Sequence, residues 1–217
     1  ACTEPTPTLD GDSALQARKT YETGIRDQSE LSDNSEEIQQ LLLAADQFIV
    51  DRHSSDGNQG KTIIAGYPWF GDWGRDTMIA LPGLTLATGR HDIAGSILRT
   101  YAHFVDRGMI PNRLPEDGQM PEYNTADATM WYFEALRAYV EHSDDEDTLR
   151  ELFPILQEII ARHREGTRHS IHVDPDDGLL YAGEQEVQLT WMDAKVDDWV
   201  VTPRRGKPVE VNALWYN

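Results

Sequence analysis

From about residue 35 the chain carries apolar positions three and four apart, the spacing of one buried helix face. Leu41, Leu42, Ala45, Phe48 and Ile49 set this pattern first. Asp33 or Asn34 can cap that helix, and Glu36 and Glu37 suit its positive end. Residues 51–60 are polar and contain glycine, which predicts a loop, and 61–65 read as a short extended piece. Four more helices follow at about 75–88, 92–105, 125–141 and 147–164, with Gly89 ending the first. Ile93, Ile97, Tyr101, Phe104 and Val105 form the second stripe, and Ala126, Met130, Phe133, Leu136 and Val140 the third. Pro154 lies inside the fourth helix, which predicts a kink or a restart there.

After Gly166 the helical period stops. Residues 171–182 hold Asp174, Pro175, Asp176, Asp177 and Gly178, a turn between short extended pieces, so a small hairpin is expected. A last helix starts near Val209 and runs to Asn217 in an apolar stretch, which reads as a cut through a longer protein. Residues 1–34, rich in Thr, Pro, Asp, Glu and Ser with Pro5 and Pro7, read as a linker, and 35–217 as one helical domain. Long polar loops between alternate helices are where function tends to sit.

Charge narrows the function classes. Lys and Arg number 19 against 38 Asp and Glu, a formal net charge of −19. That balance opposes nucleic acid and anionic membranes, and it leaves a neutral partner such as a polysaccharide open. It also fits a solvated surface or adaptation to high salt. No run approaches the ~20 apolar residues of a membrane span. The one cysteine, Cys2, rules out an intrachain disulfide and fits a reducing cytoplasm.

Four segments carry candidate chemistry. Residues 66–76 (GYPWFGDWGRD) join Trp69, Trp73, Arg75 and Asp76 just before a helix. Aromatic faces stack on the C–H faces of sugars, while carboxylate and guanidinium groups hold hydroxyl edges. The same residues also fit a plain helix N-terminus above a Trp-rich core. Residues 111–127 form a polar loop in which Asn124, Thr125 and Asp127 cap a helix, and Asp127 with Trp131 one turn on can flank a sugar. In residues 189–195 (LTWMDAK), Asp193 beside Trp191 and Met192 sits in an apolar setting, which suits a carboxylic acid that donates a proton. Glu210 and Asn212 can bind substrate or serve as ordinary first-turn polar residues. The Asp174–Gly178 turn has the wrong spacing for a calcium loop, and His163, His169 and His172 lack zinc-ligand spacing.

In order, the stretches AGYPWFGDWGRDTMIALPGL, IPNRLPEDGQMPEYNTADATMWYFEAL, GLLYAGEQEVQLTWMDAK and PVEVNALWYN resemble the amylo-α-1,6-glucosidase (glycogen debranching enzyme) family over about 65–217. The resemblance implies an all-α fold, an (α/α)6 toroid of six helical hairpins, of which this chain would hold about the first half. It implies inverting hydrolysis of α-1,6-linked glucose at branch points of glycogen or limit dextrin, with no cofactor or metal. Asp193 would be the general acid. Arg75 and Asp76, in a segment similar to the WxRD motif of glucoamylases, would grip the terminal glucose, and Trp69, Trp73, Asp127 and Trp191 would line the pocket, with Glu210 a further substrate contact.

An inverting glycosidase needs a second carboxylate as general base, roughly 6.5–9.5 Å from the acid. The resemblance places that base beyond Asn217. Half a toroid would expose apolar faces, so self-association is expected, and the fragment alone would be inactive. Other glycosidases on the same barrel, glucoamylase-like or trehalase-like, and a non-catalytic glycan-binding segment remain alternatives.

Overall fold

The computed structural model describes residues 10–29, 31, 34–53, 59–67, 69–114 and 120–217. Cys2, Pro5, Pro7 and Asp33 therefore lie outside the described residues. Order along the chain is α1 (Gly11–Gln28), α2 (Glu36–Asp46), β1 (Ile49–His53), β2 (Gln59–Ile63), α3 (Gly74–Leu84), α4 (His91–His103), α5 (Asp127–Ser143), α6 (Glu146–Glu165), β3 (His172–Val173), β4 (Leu180–Tyr181), β5 (Lys195–Val196), β6 (Trp199–Val200) and α7 (Val209–Tyr216). The described part is mostly helical, with three two-stranded antiparallel hairpins.

Helix α5 is the hub. It packs against α3 on one side and α7 on the other, while α4 and α6 contact each other behind it. Helices α3, α5 and α7 thus form one layer and α4 and α6 a second, while α1 packs on α2. Ile97, Leu98 and Tyr101 of α4, Met78 and Leu81 of α3, Tyr132 and Leu136 of α5, and Leu152 and Ile159 of α6 fill the space between them. Such a core supplies most of the folding free energy, at about 25 cal/mol per Å² of apolar surface removed from water. Helix α5 is buried around most of its circumference, which the single predicted stripe did not convey: Phe133 and Val140 are only partly covered.

Several boundaries differ from the sequence expectation. Residues 11–28 form a helix where a linker was expected. Asp10 caps it by accepting from the Asp12 amide, and Ile25 packs on Leu42 and Leu43 of α2. Helix α2, whose N-cap is Ser35, ends at Asp46 and does not run on through Phe48 and Ile49. Ile49 instead starts β1 opposite Ile63. β-branched Ile49 and Val50 fit a pleated pair better than a helix end. Asp46 is meanwhile drawn to Arg90 at 2.9 Å. Helix α3 stops at Leu84, and a 3-10 turn (Leu86–Thr88) completes the stretch before Gly89, at φ 73°. Thr85 and Thr88 hydroxyls donate back to the Leu81 and Leu84 carbonyls at 2.6 and 2.9 Å, adding side-chain bonds at the helix end. Pro154 neither kinks α6 into two elements nor restarts it. The hairpin at 171–182 forms as expected, whereas β5–β6 was not anticipated.

Candidate active site

The site is built at the N-terminal end of α3. Trp73 leads into this helix in an extended conformation, and its backbone bridges to Arg113, which in turn bridges to Glu122. The Gly74 amide donates to the Asn112 carbonyl at 2.8 Å. A Cβ at Gly74 would stand 2.3 Å from the Pro111 oxygen, so the motif requires glycine there. This packing fixes the direction in which Arg75 leaves the helix.

Arg75 is buried and reaches the N-terminus of α5. Its Nε and Nη2 donate to the two carboxylate oxygens of Asp127, each at 2.9 Å. Side-chain exposures of 10% and 2% make this a buried fork-to-fork ion pair. Thr125 adds a hydroxyl bond to Asp127 at 2.9 Å. The remaining Nη1 of Arg75 donates to Asp193 at 3.1 Å. Burial works against the Arg75 charge, but hydrogen bonds and attraction from Asp127 and Asp193 outweigh it, so the guanidinium is held more firmly protonated than usual.

Asp193 arrives from a long loop that a backbone tie joins to the start of α5. The Ala126 amide, just ahead of α5, donates to the Leu189 carbonyl at 2.8 Å. Thr190 is buried and its hydroxyl receives both the Met192 amide and Arg204, each at 3.3 Å. The loop is thereby pinned beside Arg75. The apolar setting expected from Trp191 and Met192 is not what surrounds the Asp193 carboxylate: its side chain is 40% exposed and ion-paired.

A cavity of about 420 Å³ opens here, walled by Phe70, Trp73, Arg75, Asp76, Trp191 and Asp193. Asp76 keeps an edge toward solvent. Loss of water around it pushes its carboxyl above the ordinary range, while Arg75 pulls it back. The site therefore offers a fixed cation, two carboxylates and three aromatic faces around a space of sugar size. A larger cavity, about 880 Å³, lies on the flank of α5, α6 and α7. Its walls are mainly apolar side chains, and Arg137 on its edge is paired within α5 to Glu134 and Glu141, so size alone does not mark the chemistry.

The predicted residues divide into three groups. Arg75, Asp76, Trp73, Trp191 and Asp193 come together. Asp127 lies beneath them and holds Arg75 instead of facing the cavity with Trp131, which packs on the core. Trp69 stands 87% exposed, outside the cavity wall, and neighbouring Phe70 takes the place expected of it. Glu210 pairs with Arg204 next to Thr190, and that contact, with the Trp191 indole acting in the same direction, holds its carboxyl below the usual range. Asn212 uses its amide on the β4 backbone, accepting from the Leu180 amide at 2.6 Å and donating to its carbonyl at 3.0 Å. Arg204 was not foreseen. Its signal was weak, one of two arginines in a polar loop six residues before Glu210.

A family profile described as amylo-alpha-1,6-glucosidase matches residues 43–217. The glycogen debranching enzyme of Saccharomyces cerevisiae is 28% identical over 239 residues, an alignment covering 82% of this chain. The chain spans 16% of the length of that relative. All of the residues that build the cavity fall within the matched region.

Proposed function

Because this chain belongs to the amylo-alpha-1,6-glucosidase family, we propose that it contributes the glucose-binding cavity and the general acid of an enzyme that hydrolyses α-1,6 branch points in glycogen or limit dextrin. The observation that carries the glucose-binding part is the Arg75 guanidinium, clamped by Asp127 on a wall shared with Trp73, Trp191 and Asp193; the acid role of Asp193 follows from its place in the family motif.

Arg75 and Asp76 bind hydroxyls of the terminal glucose, and the aromatic walls take its C–H faces. Asp193 donates its proton to the glycosidic oxygen as the bond from C1 to that oxygen breaks. A water molecule attacks C1 from the opposite face, and a second carboxylate, outside residues 1–217, accepts its proton. The anomeric carbon inverts, and β-glucose leaves. Asp127 acts through Arg75 and is a positioning residue. Two layers of alternating helices are what the first half of an (α/α)6 toroid would present, with 35–217 as that part of the domain. A branched α-glucan is uncharged and meets no repulsion from a chain of charge −19.

The test is glucose release from a branched limit dextrin, compared between isomaltose-type and maltose-type linkages, by the polypeptide extended through its natural downstream sequence. The reading expects the α-1,6 linkage to be preferred. Equal or better cleavage of the α-1,4 linkage would favour a glucoamylase-like enzyme instead.

A further inference from the structure

A second polar groove lies on the same loop that delivers Trp191 and Asp193. It has a volume of about 540 Å³, and its walls include Glu184, Glu186, Asp198, Trp199, Arg204 and Arg205. The β5–β6 hairpin shapes it. Asp197, at φ 52°, makes the tight turn that brings Val196 opposite Trp199. Alternate residues of a strand face opposite sides. Val200 turns inward and is buried, so Trp199 turns outward and is 64% exposed. The Val201 amide bonds the Ala194 carbonyl at 3.1 Å, and the Lys195 ammonium donates to the Glu186 carbonyl at 3.4 Å. The indole is thus presented by an anchored hairpin.

An indole facing solvent beside carboxylates and guanidinium groups has the composition of a sugar platform: an apolar face for C–H groups, with donors and acceptors for hydroxyl edges. Arg204 joins this groove to the catalytic cavity. It lines the groove, pairs with Glu210 and donates to Thr190, one residue before Trp191. A ligand seated in the groove lies along the loop from the reacting bond.

We propose that the Trp199 groove is a separate α-glucan subsite that holds an unbranched α-1,4-linked segment of the substrate while its branch point occupies the cavity at Arg75 and Asp193. This rests on the glucan-hydrolase reading, but its own test does not require turnover.

The exposed Trp199 indole allows a direct readout. In the full polypeptide with 15N-labelled tryptophan, one indole N–H signal is assigned to Trp199 by its loss in Trp199→Phe. Maltoheptaose, a linear α-1,4-glucan, is expected to shift that signal saturably. Trp199→Ala should weaken maltoheptaose affinity about fivefold, and Trp199→Phe, which keeps an aromatic face, should retain most of it. A Trp199 signal unmoved by maltoheptaose, or a folded Trp199→Ala variant with unchanged affinity, overturns the subsite. If the signal moves but no branched dextrin is cleaved, the subsite stands and the hydrolase reading falls. If glucose is released and the signal stays still, only the subsite falls.

Discussion

Two buried arginine–aspartate pairs sit in different parts of this molecule, and they differ in where the guanidinium nitrogens not bonded to that aspartate go. Arg90 pairs with Asp46 at 2.9 Å where α2 meets the start of α4. Its Nε donates to the Thr88 hydroxyl and its Nη2 to the Leu84 carbonyl, so every direction ends in protein. Burial dominates there and lowers the Arg90 pKa despite Asp46. Arg75 instead gives two nitrogens to Asp127, and its last nitrogen meets a second carboxylate, the half-exposed Asp193, on a cavity wall. Its charge is reinforced in place of being suppressed. A pair closed on all sides fastens helices together. A pair that leaves one nitrogen at a cavity with an accessible carboxylate can also bind and position a ligand.

The largest expected effect falls on both pairs alike. Asp127→Ala and Asp46→Ala each remove the best-buried carboxylate partner of a buried guanidinium, and each should cost about 3–5 kcal/mol in urea unfolding. Dextrin binding separates them: at a temperature where both variants are folded, only Asp127→Ala should lose it. Equal loss in Asp46→Ala would break the comparison.

A smaller effect tests the backbone that aims Arg75. Gly74→Ala drives a Cβ against the Pro111 carbonyl and should cost about 1–3 kcal/mol, with weaker dextrin binding. Gly71→Ala, in the same motif, meets no atom within 4 Å and should change stability by less than about 0.5 kcal/mol. Similar losses at both glycines would show that the motif matters for general stiffness and not for that one close approach.

The smallest effect comes from a buried group that has no charge partner to offset its burial. His163 of α6 is fully buried, bonds the Ile159 carbonyl through Nδ1 at 2.8 Å, and stacks on Trp215 of α7. Burial pushes its imidazole below the ordinary 6.5, with the Ile159 bond opposing. The native state therefore prefers it neutral, while the unfolded chain takes up a proton below that value. Its contribution to stability is complete above pH 6.5 and is lost as pH falls through the lowered native pKa. The drop in melting temperature between about pH 7.5 and about pH 5.5 should shrink in His163→Phe. An unchanged drop would assign the acid sensitivity to other groups.

The helices α4 to α6 were legible because each carries a periodic apolar face that the core uses. Helix α1 was not, since its exposed Leu15 and Tyr21 and single buried Ile25 make no stripe. Phe48 and Ile49 continued a helical spacing by chance, and only the pairing of Ile49 with Ile63 across the chain turned them into a strand. The two-residue strands β5 and β6 are too short to leave a period. At the site, the motifs name Arg75, Asp76, Trp73, Trp191 and Asp193, and the structure brings these five to one cavity. The place of Asp127 beneath them was not legible, because local spacing relates Asp127 to Trp131, whereas it bonds Arg75, 52 residues away. Aromatic content marked the segment around Trp69 and Phe70, but which ring faces the cavity depends on the turn that follows Gly66, where the Phe70 amide bonds the Gly66 carbonyl at 2.9 Å.

The most direct measurement is the rate of glucose release from a branched limit dextrin by the full polypeptide and by its Asp193→Asn variant, with dextrin affinity measured alongside. Removing a general acid should slow turnover about 10²–10⁴-fold while binding at Arg75 persists. An Asp193→Asn enzyme that releases glucose at close to the original rate would contradict the assignment of this cavity as the place where the glycosidic bond is broken.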